Sequence, residues 1–123
     1  MLHIAAICVG ASLGALSRWK LGIWLNATGH LPWGTLAANA MGGYLIGLVL
    51  AVLQMLPEIH PAWRLAIVTG FLGALTTFST FSAEVVALLQ AQRWATALLW
   101  ALSHLFASLV LTMAGIWTAN LFR

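Results

Sequence analysis

One stretch gathers polar side chains that the rest of the chain lacks: Gly70-Phe71-Leu72-Gly73-Ala74-Leu75-Thr76-Thr77-Phe78-Ser79-Thr80-Phe81-Ser82-Ala83-Glu84. Five hydroxyls fall within seven residues, Thr76 to Ser82, and two glycines precede them. Gly and clustered Ser/Thr allow a membrane helix to break and then re-satisfy the backbone groups it has freed. A broken helix leaves two ends at depth. The new N-terminal end offers N–H donors to anions, and the new C-terminal end offers carbonyls to cations. The pattern predicts a helix interrupted near mid-membrane and an ion or substrate site at the interruption. The alternative is an unbroken helix whose hydroxyls bond back to its own carbonyls.

Around this stretch stand other candidates. Phe78 and Phe81 are three apart and share a helical face. The positive edge of an aromatic ring supports an anion at depth without holding it by full charge, and conduction needs ions that can leave. Asn39 brings an amide with two N–H donors, suited to a small, hard anion, or equally to a hydrogen bond that holds two helices together. Glu84 lies two turns beyond the predicted break. A carboxylate at span centre costs roughly 2.5–3.5 kcal/mol on insertion scales, so it faces a wet cavity, pairs with a base or is protonated. Arg18 is the other charge set back from a span end, either snorkelling to the interface or serving ion access and gating. His104, Ser108 and Thr112 recur every four residues and form a polar stripe that lines a water path or docks another helix. His3, His30 and His60 show no metal-ligand spacing and read as interfacial. The sequence holds no nucleophile–base set, phosphate loop or zinc motif, which argues against an enzyme. Asn26-Ala27-Thr28 fits a glycosylation acceptor, a pattern too short to carry weight.

The elements that must position these residues follow from composition. Apolar residues make up 63% of the 123-residue chain and charged ones 6%, with a mean hydropathy of +1.00. A soluble domain is about 25% charged, so two acids and five bases cannot supply a polar surface, and almost all of this chain belongs in lipid. A span takes about 20 residues, which leaves room for four and for no soluble catalytic domain. Strand-like alternation is absent, which argues against a barrel. Turns at 26–32, 57–61 and 90–93 divide the chain into one membrane domain, residues 1–123, with spans at about 2–25, 33–56, 62–89 and 94–121. Each span is helical because lipid offers its backbone no partner. Trp19, Trp24, Trp33, Trp63, Trp94 and Trp117 lie toward span ends, where amphipathic rings prefer to sit; Trp100 reads as packing bulk. The apolar run from Met1 has no basic leader and reads as the first span, not a cleaved signal. The lone Cys8 excludes an internal disulfide. A net charge of +3 without a basic stripe argues against nucleic acid.

Four spans put both termini on one side of the membrane, with Arg64 and Arg123; Arg18, Lys20 and Arg93 fall on the other. Orientation follows Lys/Arg bias, and here there is almost none, which permits insertion both ways and an antiparallel dimer. Gly10 with Gly14, and Gly43 with Gly47, mark faces where helix backbones approach closely.

With these motifs in view, the sequence resembles the Fluc (CrcB) family of small bacterial fluoride channels nearly end to end. Gly10-Ala11-Ser12-Leu13-Gly14-Ala15-Leu16-Ser17-Arg18-Trp19 is similar to the family's first-span motif. Gly34-Thr35-Leu36-Ala37-Ala38-Asn39-Ala40-Met41-Gly42 is similar to its second, and Gly70 to Phe81, with Thr-Thr-Phe-Ser-Thr-Phe intact, to its signature third-span stretch. The resemblance implies an all-α, four-span, dual-topology antiparallel homodimer in the bacterial inner membrane, with two fluoride pores and crossed third-span breaks. It implies a buried structural Na⁺ at the dimer centre, held by main-chain carbonyls that the motif places at Gly73 and Thr76. Phe78 and Phe81 match the pore phenylalanines, Asn39 the pore asparagine, Ser79 and Thr80 hydroxyls beside the pore, Glu84 a carboxylate of the polar track, and Arg18 the first-span arginine. The pore tyrosine and serines of the fourth span map to Trp100, His104 and Ser108, or to His104, Ser108 and Thr112. Leu72 and Ala74 depart from the Cys and second Gly frequent in the family, and Trp19 and Tyr44 replace other aromatics. The implied activity is passive, fluoride-selective flux that relieves fluoride toxicity. A small multidrug exporter of similar length is a weaker match, because the first span lacks the carboxylate that binds cationic drugs. A structural membrane subunit without transport is the other alternative.

Overall fold

The computed structural model describes residues 1–27 and 29–122. Thr28 and Arg123, which enter the first turn, the glycosylation pattern and the charge balance above, lie outside the described residues. The chain is all-helical, with no strand among the described residues, and contains four helices long and apolar enough to cross a membrane. The first is α1 (Leu2–Asn26) and the second α2 (Trp33–Met55). The third, Pro61–Gln90, is composite: α3 (Pro61–Arg64), a π-helical stretch (Leu65–Leu72), α4 (Gly73–Leu75) and α5 (Phe78–Gln90). The fourth is α6 (Trp94–Asn120).

Local chemistry sets the ends. Asn26, the last residue of α1, accepts the Gly34 N–H on its Oδ1 at 2.8 Å, so one helix end caps the start of the next. Pro57 disfavours helical backbone at the residue before it, and Leu56 leaves the helix there with φ −121° and ψ 66°. Pro61 sits in the first turn of α3, where its missing N–H costs nothing, and His60 Nδ1 accepts the Ala62 N–H at 3.1 Å. Gln92 turns the chain between α5 and α6 with φ 58°.

The helices pair as α1 along the third span and α2 along α6. Glycines make both contacts possible. A Cβ on Gly10 would strike the Ala66 carbonyl. One on Gly43 would lie 2.8 Å from the Ser108 oxygen. These are backbone-to-backbone approaches, which is what small residues at four-residue spacing permit. The Thr112 hydroxyl reinforces the second contact by donating to the Gly43 carbonyl at 2.9 Å.

The interior is thin. One cluster joins Ala38, Leu72 and Leu75, and another joins Leu88, Ala97 and Trp100. Large apolar side chains such as Ile4, Val9, Leu105 and Met113 point outward. The six tryptophans expected at span ends are exposed, whereas Trp100 is 2% exposed. This is the distribution of a chain solvated by hydrocarbon.

Candidate functional site: a polar junction in the third span

The middle of the third span is organised by one side chain from another helix. Thr76 and Thr77 are extended, with φ/ψ of −83°/155° and −153°/119°. Asn39 on α2 pairs with this segment at two points. Its Oδ1 accepts the Thr77 N–H at 2.8 Å, and its Nδ2 donates to the Thr77 carbonyl at 3.0 Å. The amide thereby replaces the backbone partners that extended residues in a helix lose, as lipid-buried backbone requires.

Hydroxyls finish both ends of the junction. Thr76 Oγ1 donates back to the Leu72 carbonyl at 2.9 Å. Thr77 is the N-cap of α5, and its Oγ1 accepts the Thr80 N–H at 3.2 Å. It also lies 3.1 Å from Thr80 Oγ1 and 3.3 Å from Ser79 Oγ. In a continuous helix the Thr77 and Thr80 N–H groups would donate to the Gly73 and Thr76 carbonyls. Here they go to Asn39 and to Thr77 Oγ1, so both carbonyls lose their helical donors.

A cavity of about 730 Å³ opens beside the junction, lined among others by Asn39, Gly73, Thr76, Phe78, Phe81 and His104. Phe78 and Phe81 are 5.5 Å apart, centroid to centroid. His104 from α6 lies against Phe81 at 4.6 Å and edge-on to Trp100 at 5.1 Å. Its Nδ1 is 3.1 Å from Asn39 Nδ2. Its Nε2 is buried with no hydrogen-bond partner among the described residues.

The structure thus brings together Asn39, Phe78, Phe81 and His104, with Ser108 and Thr112 on the same cavity wall. Of the two roles open to the fourth-span stripe, the Thr112 hydroxyl takes helix docking, its proton shared between the Ser108 and Gly43 carbonyls. Ser79 and Thr80 stand exposed on the first turn of α5. Glu84 is half-buried one step away: Thr35 Oγ1 donates to its Oε1, and Trp100 Nε1 donates to its Oε2 at 3.1 Å. Arg18 is half-buried on α1 and does not line the cavity.

The pairing of Glu84 with Thr35 and Trp100 has no forerunner in the sequence reading. A usable signal existed. Thr35 precedes Asn39 by four residues and Trp100 precedes His104 by four, so each shares the face of a residue already singled out.

Comparison with known proteins decides the family. Residues 5–116 match the family described as CrcB-like protein, Camphor Resistance (CrcB). The chain belongs to this family. Among its relatives, the Fluoride-specific ion channel FluC of Albidiferax ferrireducens is 63% identical over 120 residues, covering 98% of this chain and 92% of the relative. The protein of the same name from Variovorax paradoxus is 60% identical over 116 residues, covering 94% and 93%. That from Paracidovorax citrulli is 55% identical over 119 residues, covering 97% and 94%. These relatives are named as ion channels, so the family is not one of enzymes, and its four span-capable helices make this member a multi-pass membrane protein.

Proposed function

We propose that this chain is a passive, fluoride-selective ion channel that lets fluoride leave the cytoplasm through two pores of an antiparallel homodimer in a bacterial inner membrane. The observation that carries this reading is the junction at Thr76 and Thr77. It acts as a break in the third span, with the start of α5 at Phe78 and Ser79 on one side and the freed Gly73 and Thr76 carbonyls on the other. N–H donors at depth suit an anion, and the Phe78 and Phe81 rings beside them supply edges that attract it weakly. Neutral contacts of this kind let a small ion enter and leave. The fourth-span side chains of His104 and Ser108, the Ser79 and Thr80 hydroxyls and Glu84 extend the path, while Thr112 docks the fourth span on the second.

The dimer is supported by what a single chain leaves uncovered. Phe78 is 80% exposed, and Ser79 and Thr80 are exposed beside it in mid-span. Hydroxyls facing lipid at this depth are costly, and a second copy crossing at the same break covers them. The Gly73 and Thr76 carbonyls fit a structural Na⁺ shared by two chains, since they are hard oxygens without helical donors. When bound, that ion supplies a fixed positive charge that draws anions toward the site.

The physiological benefit follows from acid chemistry. Hydrogen fluoride crosses the bilayer uncharged and dissociates inside, and the channel returns the trapped anion. The test is release of fluoride from proteoliposomes, read with a fluoride electrode, with chloride in parallel and Phe78→Ile for comparison. Fast fluoride release, absent for chloride and lost in Phe78→Ile, is expected. No release from correctly assembled dimer overturns the proposal.

A further inference from the structure

Away from the junction, one pair of metal-ligating side chains meets across two helices. His3 stands in the first turn of α1, and His60 is the N-cap of α3. Both therefore lie where the first and third spans begin. Nothing in their sequence spacing joins them; the packing of α1 along the third span does. Their ring centres are 6.3 Å apart, with the planes inclined at 46°. Both side chains are exposed.

This separation is close to what one shared ion requires. Two imidazoles bound at about 2 Å per nitrogen place their ring centres about 5 Å apart in tetrahedral geometry and about 6 Å apart as the angle opens. Rotation about the side-chain bonds of two exposed residues closes the difference. Imidazole nitrogen suits Zn²⁺, Cu²⁺ and Ni²⁺, whereas hard cations take oxygen. Among the described residues no third His, Cys, Asp or Glu joins the pair, so water fills the remaining positions and the site stays open.

Binding costs one hydrogen bond. His60 Nδ1 accepts the Ala62 N–H at 3.1 Å, so the proton of the neutral ring sits on Nε2. An ion needs a lone pair. It either displaces the Ala62 N–H from Nδ1, or binds Nε2 and sends the proton to Nδ1. Ala62 loses its acceptor in both cases. A lost N-cap bond corresponds to about fivefold in an equilibrium constant, which lowers affinity without abolishing it.

We propose that His3 and His60 form a two-imidazole site for a divalent transition-metal ion of the Zn²⁺, Cu²⁺ and Ni²⁺ class, and that the ion clips the first turn of α1 to the first turn of the third span. The site is separate from the ion path and from the Na⁺ reading, whose ligands are oxygens. It stands or falls without either.

The test is titration of the full-length protein in detergent, stripped of metal with EDTA, with CuCl₂ and ZnCl₂. Electron paramagnetic resonance of the Cu²⁺ form counts the nitrogens on the ion. We expect two imidazole nitrogens in the wild type. His3→Gln and His60→Asn should each show one or none, with affinity lower by about tenfold or more. His60→Asn removes the ligand but keeps a capping oxygen for the Ala62 N–H, so a site lost in this variant is not a lost helix start. Zn²⁺ at about a hundredfold excess over its dissociation constant should raise the unfolding temperature of the wild type by several degrees. It should leave both variants unmoved, and Mg²⁺ should move none of the three. Cu²⁺ binding that survives unchanged in His60→Asn overturns the proposal, because His3 then holds the ion without its partner. Equal affinity in the wild type and both variants, or saturation only at millimolar metal, marks an adventitious ion only and overturns it too.

Discussion

Glu84 rests its two oxygens on donors that carry no charge, the Thr35 hydroxyl and the Trp100 indole N–H. A carboxylate inside a membrane needs such partners, and a hydrogen bond to a charged group is worth about 1.5–3 kcal/mol. Trp100→Phe keeps the ring that packs against Trp33, 5.3 Å away, and against His104, but removes the N–H. We expect it to lower unfolding stability in detergent by about that amount. Glu84→Gln in the same background should recover part of the loss, since no carboxylate is then left underpaired. A double-mutant cycle without coupling between the two positions overturns this pairing. At this scale the sequence was informative about residue types and silent about partners. Asn39, Phe78, Phe81 and His104 stood out because polar and paired aromatic residues are rare in an apolar span. Trp100 read as bulk because an indole in a 63% apolar chain looks like packing until its N–H is seen to face a carboxylate.

Among the elements, the third span departs most from a plain helix. It begins in α3, runs through eight π-helical residues from Leu65 to Leu72, and continues in α4 to Leu75. Gly70 and the hydroxyl cluster signalled irregularity in this region, because both loosen the helical ladder. The π-helical stretch was not legible, since Leu65-Ala66-Ile67-Val68 carries no residue that favours five-residue over four-residue bonding; the backbone of α1 approaches this stretch closely at Gly70. Thr77 shows how α5 begins. Its backbone is held by Asn39 and its side chain caps α5, so the two functions are separable. Thr77→Val keeps the backbone pairing and loses the cap. We expect a destabilisation of about 1 kcal/mol, the usual worth of an N-cap, with Thr77→Ser close to wild type in thermal unfolding. Equal stability of Thr77→Val and Thr77→Ser would show that the hydroxyl does not cap the helix.

At the level of the whole molecule, hydropathy made the four-span, all-helical architecture legible, because lipid leaves a 123-residue chain of this composition few alternatives. The expectation of an antiparallel partner rests on a charge balance of Arg64 and Arg123 against Arg18, Lys20 and Arg93. If orientation follows Lys/Arg bias, this balance is easily tipped. Glu58→Lys with Ile59→Lys adds positive charge on the side of the termini; Gln90→Lys with Ala91→Lys adds it on the other. Each pair should drive its variant into a single orientation, read by labelling a cysteine placed in one loop. An antiparallel dimer needs both orientations, so each variant expressed alone should give little fluoride release, and the two expressed together should restore it. The exposed face of Phe78, Ser79 and Thr80 gives the physical reason: in a one-way population that face meets lipid or a parallel neighbour, and the polar first turn of α5 stays uncovered. Full release from either variant alone, with its single orientation verified, would exclude antiparallel assembly and require one chain, or a parallel pair, to cover that turn.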